Sequence, residues 1–356
     1  MIAVVLVGGE GTRLRPLTLD EPKPVLPIGG VPFASLLLDR LAAAGVTRVI
    51  LSCGYLPERL RAGIGEPPPG VEVEIVVEDE PLGTAGAIAF AARGRVDGPY
   101  LALNGDVLGD ADLGALVRAH AERGARATIL LTPVDDPTRY GVVVHGADGA
   151  VERFVEKPPS ADGLGPGPWW VNAGAYVLDP DVLADVPDDR MTSIEREIFP
   201  GLVGDGLIAH RSDGYWRDIG TLESFLAANA DAVGGVVATR LAGGPDATLV
   251  DHAAQVDPAA RLTGPLRIGA GAVIGAEAEI GPGTVVGAGA QVGEAARIAR
   301  SVLLDDAQVG ARARVESCAI GRDAVVGEDA SLVGCALGTG AGVTAGERLE
   351  GERRPG

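Results

Sequence analysis

Residues 2–7 form a run of six apolar side chains that runs straight into glycines, the pattern of a buried strand ending in a loop. Phe33, Leu36, Leu37 and Leu41 fall on one face of a 3.6-residue period and predict a helix over 32–44. A second apolar run predicts a buried strand over 46–52, and alternating residues predict a half-exposed one over 71–77. A helix over 84–92, a strand over 100–104, a helix over 112–123 and a strand over 127–131 continue the alternation. Such an order predicts an α/β fold, with a mixed but mainly parallel sheet and helices on both faces. Ligands of such sheets sit at the carboxyl ends of the strands.

From about residue 250 the period becomes six. Val250, Val256, Leu262, Ile268, Ile274, Ile280, Val286, Val292, Ile298 and Leu304 fall in one phase, and glycine follows five of them. The phase slips by one near 309 and again near 320, after which Ile320, Val326 and Leu332 resume it. A flexible glycine-rich tail has no reason to keep its aliphatic residues in phase; a parallel β-helix does. The expected organisation is a catalytic domain over 1–235, a linker over 236–247, a β-helix over 248–345 and a polar tail over 346–356.

Composition narrows the function. A net charge of −19, with both domains acidic, argues against a nucleic-acid surface. No run approaches the length of a membrane span, and the first thirty residues lack a targeting pattern, so a cytoplasmic location is expected. Cys53, Cys318 and Cys335 are too few and too scattered for a disulfide framework or a zinc site. An acidic chain that binds phosphates needs locally placed cations, backbone N–H groups or a metal. Against 28 arginines there are only two lysines, Lys23 and Lys157, each followed by proline. Lysine persists best where a compact charge and a planar fork are not equivalent.

The segment after the first strand, Gly8-Gly-Glu-Gly-Thr-Arg-Leu-Arg-Pro16, lets a backbone approach a base and phosphates closely, with Arg13 and Arg15 to neutralise charge. An ordinary tight turn is the plainer reading. A dinucleotide fingerprint would need glycine where Leu14 stands, and a Walker A loop would need Gly-Lys-Ser/Thr, which is absent.

Together with Glu21-Pro-Lys-Pro24, this loop resembles the sugar-nucleotide pyrophosphorylase family, and most nearly the mannose-1-phosphate guanylyltransferases with a C-terminal β-helix. The likeness continues through Pro81–Gly86, Asn104-Gly-Asp106, Tyr140–Val143, Phe154–Pro158, Asn172-Ala-Gly174, Thr192–Glu195 and Trp216–Gly220. It implies a Rossmann-like nucleotidyltransferase domain followed by a left-handed β-helix. The implied reaction is attack of a sugar 1-phosphate on the α-phosphorus of a nucleoside triphosphate. The nucleophile is already an anion, so positioning and electrostatics carry the catalysis.

By this resemblance Asp106 and Asp218 hold Mg²⁺, although either aspartate taken alone reads better as a turn cap. Arg13 and Lys23 meet the nucleotide phosphates, and Lys157 meets the sugar phosphate unless it is only an exposed strand end. Leu6, Gly8, Gly9, Gly11, Thr12, Gly83 and Thr84 are the implied nucleotide-binding set. Gly141, Glu156 and Asn172 join Lys157 at the sugar. Thr84 opens a helix whose first N–H groups are expected to be open to a ligand, and Thr192 with Glu195 fits a capping box. Trp169 and Trp170 read as either core or a loop over the site.

GTP and mannose 1-phosphate are the expected substrates. A thymidylyl or uridylyl enzyme acting on glucose 1-phosphate, and a non-catalytic nucleotide-sugar sensor, are the alternatives. His252 is the only histidine after residue 210, which disfavours an acyltransferase in the β-helix. That domain is expected to mediate self-association.

Overall fold

The computed structural model describes residues 1–241 and 243–356; the expected linker contains Ala242, which lies outside the described residues. The chain divides into two compact units, one of Met1–Gly9 with Leu37–Trp216, the other of Glu10–Leu36 with Arg217–Gly356. The segment 10–36 thus groups with the C-terminal part by its contacts.

The first unit is built on β1 (Ile2–Leu6), α1 (Phe33–Ala43, which enters it at Leu37), β2 (Arg48–Cys53), β3 (Glu72–Val77), α2 (Gly83–Ala92), β4 (Tyr100–Asn104), β5 (Val107–Gly109), α3 (Leu113–Arg123), β6 (Ala127–Val134), β7 (Gly141–His145), β8 (Val151–Glu156), β9 (Trp169–Leu178) and β10 (Leu207–Arg211). The expected elements fall within a few residues of these bounds. Nine strands make one sheet, in the order β8-β7-β9-β4-β1-β2-β3, with β6 between β9 and β10. β1 pairs in parallel with β2 on one side and β4 on the other, so the strand order reverses there. A crevice at that switch point, outside the carboxyl ends, is where such sheets take ligands. Tyr100, Tyr176 and Phe199 are fully buried in the core below it.

In the second unit the chain coils into three stacked parallel sheets, consistent with a left-handed β-helix. One side runs from Thr248–Val250 to Arg353–Arg354, the second from Gln255–Val256 to Gly342–Val343, and the third from Arg261–Leu262 to Arg348–Glu350. The aliphatic residues enter one continuous core. Between them a second inward set, from Ala272 to Ala341, stacks alanines that the six-residue reading passed over.

Two expectations fail here. Leu303, not Leu304, faces Val286 and enters the core. From that point each coil is 17 residues rather than 18, and the residue is lost at the same corner each time. At that corner Arg300, Ser317 and Gly334 take left-handed φ values of 47°, 53° and 63°. The next residue, Ser301, Cys318 or Cys335, is fully buried and returns its side chain to the backbone. Ser301 Oγ donates to Ala299 O at 2.7 Å and accepts from Cys318 N at 3.0 Å. Cys318 Sγ donates to Glu316 O at 3.1 Å and accepts from Cys335 N at 3.3 Å. The ladder satisfies N–H groups that the shortened turn would otherwise strand. Second, the expected polar tail is another turn of the coil: Arg348–Glu350 pairs with Ser331–Val333, and Arg353–Arg354 with Ala336–Leu337, because Leu349 keeps the 17-residue phase.

The outer faces differ. On the first side, α4 (Leu222–Val233) packs against the strands Leu266–Ile268 and Thr284–Val286, and Val285, Val302, Ala319 and Ala336 are buried along that side. The third carries ion pairs, Glu279 with Arg261 at 2.8 Å and with Arg297 at 3.5 Å. The second presents Gln255, Val273, Gln291, Gln308, Val325 and Gly342, all exposed and none charged.

Candidate active site

In the first unit, the glycine-rich loop and the Asn104-Gly-Asp106 turn leave the sheet side by side. Leu6 pairs with Asn104, and Gly105 N donates to Leu6 O at 2.8 Å. A Cβ on Gly105 would stand 2.6 Å from that oxygen, so only glycine lets the turn lie this close. Asp106 is thus fixed, half-buried, at the carboxyl edge. Gly8 lies against Gly54, and Gly9 has open space around it.

Gly83 and Thr84 open α2, but its first N–H groups are not open as expected. Thr192 O accepts from Ala85 N at 2.9 Å and from Gly86 N at 3.3 Å. Thr84 Oγ1 donates to Glu195 Oε2 at 2.8 Å and accepts from Ile194 N at 2.9 Å. The expected capping box is also displaced. Ser193 caps the short turn Ile194–Ile198, accepting from Arg196 N, while Thr192 and Glu195 are taken up by α2.

The sugar-side residues converge on β7, β8 and β9. Gly141 pairs with Glu156, and a Cβ there would lie 2.9 Å from Glu156 Oε2 and 2.7 Å from the Phe154 ring. Lys157 takes a left-handed φ of 45° and donates its N–H to Tyr140 O, which turns its exposed ammonium back to 3.5 Å from Glu156 Oε1. Asn172 sits at a bulge in β9. Its Nδ2 donates to Tyr176 Oη at 2.8 Å and its Oδ1 accepts from Gly174 N at 2.9 Å, so the amide is oriented with one N–H and one lone pair to spare. Tyr176, fully buried, has its phenol pushed well above the ordinary value by desolvation. Trp169 and Trp170 belong to β9, and Trp170 packs on the core with Arg211 over its ring. An edge-on pair, Tyr140 with Trp216 at 5.2 Å between centroids, was not legible as a contact.

In the second unit, Gly11 takes a φ of 62° and caps a single turn, Thr12–Leu14, which sets Thr12 and Arg13 outward. The two loop arginines separate. Arg15 pairs with Glu10 at 2.6 Å, while Arg13 reaches Gly220. A Cβ on Gly220 would be 2.7 Å from Arg13 Nη2 and 3.1 Å from Asp218 Oδ1. The loop arginine and the second candidate metal carboxylate therefore flank one glycine. Lys23 opens a short turn, Lys23–Val25, in the same unit.

The donor set is two aspartates, and among the described residues no group of three or more His, Cys, Asp or Glu gathers as a metal cage. Few hard oxygen ligands fit a cation that keeps water and phosphate oxygens, as Mg²⁺ does.

A model of the nucleotidyl transferase family matches residues 2–234. The chain belongs to the nucleotidyl transferase family. A second model, the GMPPB C-terminal domain, matches residues 262–352 of this nucleotidyl transferase. It is 43% identical over 241 residues to a mannose-1-phosphate guanylyltransferase of Mycobacterium tuberculosis, covering 66% of this chain and 65% of that one. It is 42% identical over 233 residues to a mannose-1-phosphate guanyltransferase of Aspergillus fumigatus, covering 64% and 62%. The match thus spans less than two thirds of the length of these relatives. Among solved structures, HddC from Yersinia pseudotuberculosis, complexed with GMP-PN, is similar with a TM-score of 0.54 and 31% identity, covering 64% of this chain and 97% of that one. No helix among the described residues is long and apolar enough to cross a membrane.

Proposed function

We propose that this nucleotidyl transferase is a mannose-1-phosphate guanylyltransferase. A phosphate oxygen of mannose 1-phosphate attacks the α-phosphorus of GTP, the bond to the β-phosphate oxygen breaks, and GDP-mannose and pyrophosphate result. In this reading Leu6, Gly8, Gly9, Gly11, Thr12, Gly83 and Thr84 cradle the nucleotide, with Arg13 and Lys23 on its phosphates. Lys157 neutralises the sugar phosphate, and Glu156 and Asn172 orient the sugar hydroxyls. Asp106 and Asp218 would hold a divalent cation, assigned here as Mg²⁺, which when bound offsets phosphate charge.

The observation that carries the reading is the meeting of Arg13 with Asp218 across Gly220, in a chain whose similar relatives bear that activity in their names. Self-association through the uncharged second face of the β-helix belongs to the same proposal.

The test is direct. Purified chain with Mg²⁺ is offered each nucleoside triphosphate against mannose and glucose 1-phosphates while pyrophosphate is followed. GTP with mannose 1-phosphate is expected to turn over fastest. A better pair corrects the substrate, and no release with any pair overturns the enzyme.

A further inference from the structure

Asp110 ends the strand that follows Asp106, and it holds both backbone polar groups of one distant residue. Its N–H donates to Tyr215 O at 3.2 Å, and its Oδ1 accepts from Tyr215 N at 2.7 Å. A Cβ on Gly109 would stand 2.9 Å from Tyr215 O, so the two segments touch without room for a side chain. Arg40 approaches from α1. Its Nη2 donates to Ala111 O at 3.1 Å, and its charge faces Asp110. Arg40 Nε is enclosed and meets no hydrogen-bond acceptor among the described residues. It borders a cavity of about 10 Å³, room for about one water, lined also by Asn104, Gly109 and Trp216. Burial pushes the guanidinium down to about 10, with Asp110 opposing the shift.

A half-satisfied arginine at this depth costs stability, and an apolar side chain of similar size would serve packing better. None of the three residues belongs to the substrate set. What they share is Asp106: β5 is only Val107–Gly109, so any slip at Asp110 passes to the carboxylate at its other end.

We propose that Arg40 and Asp110 are positioning residues that hold the Asp106 turn in its metal-binding geometry. The proposal rests on Asp106 being a metal ligand, as the functional reading has it. Outer partners of metal ligands typically change metal affinity by 10–100-fold.

The test uses Mn²⁺ as probe, with binding to the full chain in the presence of GTP followed by electron paramagnetic resonance. Arg40→Met and Asp110→Asn should each weaken Mn²⁺ by about 10-fold or more, Arg40→Lys should recover part of the loss, and the KM for GTP at saturating metal should stay within about 2-fold. Unchanged Mn²⁺ affinity in the folded Arg40→Met and Asp110→Asn proteins would overturn the clamp, whatever happens to their melting temperature. Asp106→Asn is the control: if it leaves Mn²⁺ binding intact, the metal assignment falls and the clamp with it. Neither result depends on which sugar the enzyme prefers, and where another triphosphate turns over faster it replaces GTP in every arm, so substrate failure and clamp failure are read separately.

Discussion

Gly220 leaves the space into which Arg13 extends: Nη2 of Arg13 lies 2.7 Å from the position a Cβ on that glycine would take. The obstructing atom is the far end of a flexible side chain, so Gly220→Ala should fold with little loss of stability and move the guanidinium instead. We predict a kcat lowered about 10-fold or more, with a melting temperature within a few degrees of wild type. Pre-steady-state and steady-state pyrophosphate release, run beside thermal melts, check the split. A collapsed melting temperature with unchanged kcat would refute it.

Asp106→Asn keeps the shape of the turn and removes a charge. Turnover should fall about 100-fold with the circular dichroism spectrum unchanged. Near-normal turnover at saturating Mg²⁺ would remove Asp106 from the metal site.

Lys157 is exposed, and its contact with Glu156 at 3.5 Å contributes little to stability. Lys157→Arg should therefore melt with wild type while the KM for the sugar phosphate rises about 10-fold, and Lys157→Ala should lose about 100-fold in kcat/KM. Identical constants for Lys157→Arg would show that any cation suffices there.

Burial pushes the Cys318 thiol up to about 12, from an ordinary value near 9. The neutral thiol is the form the fold favours, so its contribution is complete below pH 9 and disappears as pH rises toward 12. Denaturant melts across that window should show the β-helix losing stability, and Cys318→Ser, which copies Ser301, should remove most of that dependence. Cys318→Ala should cost about 1–3 kcal/mol, because Cys335 N then lacks its acceptor. Equal melts for the serine and alanine variants would refute the ladder.

For a chain of charge −19, two copies meet best through a surface without charge. Val273→Glu with Gln291→Glu should lower the oligomer mass found by analytical ultracentrifugation, whereas Arg261→Glu on the third side should not. The reverse pattern would move the interface.

The strand and helix order was legible because each element is set by local periodicity, as with Phe33, Leu36, Leu37 and Leu41 in α1. The motif residues were legible because each lies on its own short segment. The relations between segments were not. Arg40 meets Ala111 across 71 residues, and Asp110 meets Tyr215 across 105, and no periodicity marks either partner. The corner near 300 was misread for a different reason. Leu303 and Leu304 are both aliphatic, so the six-residue count runs one step too far before the pairing of Leu303 with Val286 decides it. Thr84 was read as an open helix start because nothing nearby announces that Thr192 will supply its acceptor.

The shortened corner also sets rules for how this half of the chain can change length. Each coil rests only on its neighbours, so a whole turn can be gained or lost where a fragment of one cannot. Past Leu303 the step is 17 residues, and a coil of 18 duplicated from the earlier part would bring the longer corner with it. The Ser301, Cys318 and Cys335 column would then be interrupted, and the N–H that this side chain satisfies in the next coil would lose its acceptor. Length variation among such domains should therefore come in two sizes of block, each tied to its own end of the stack.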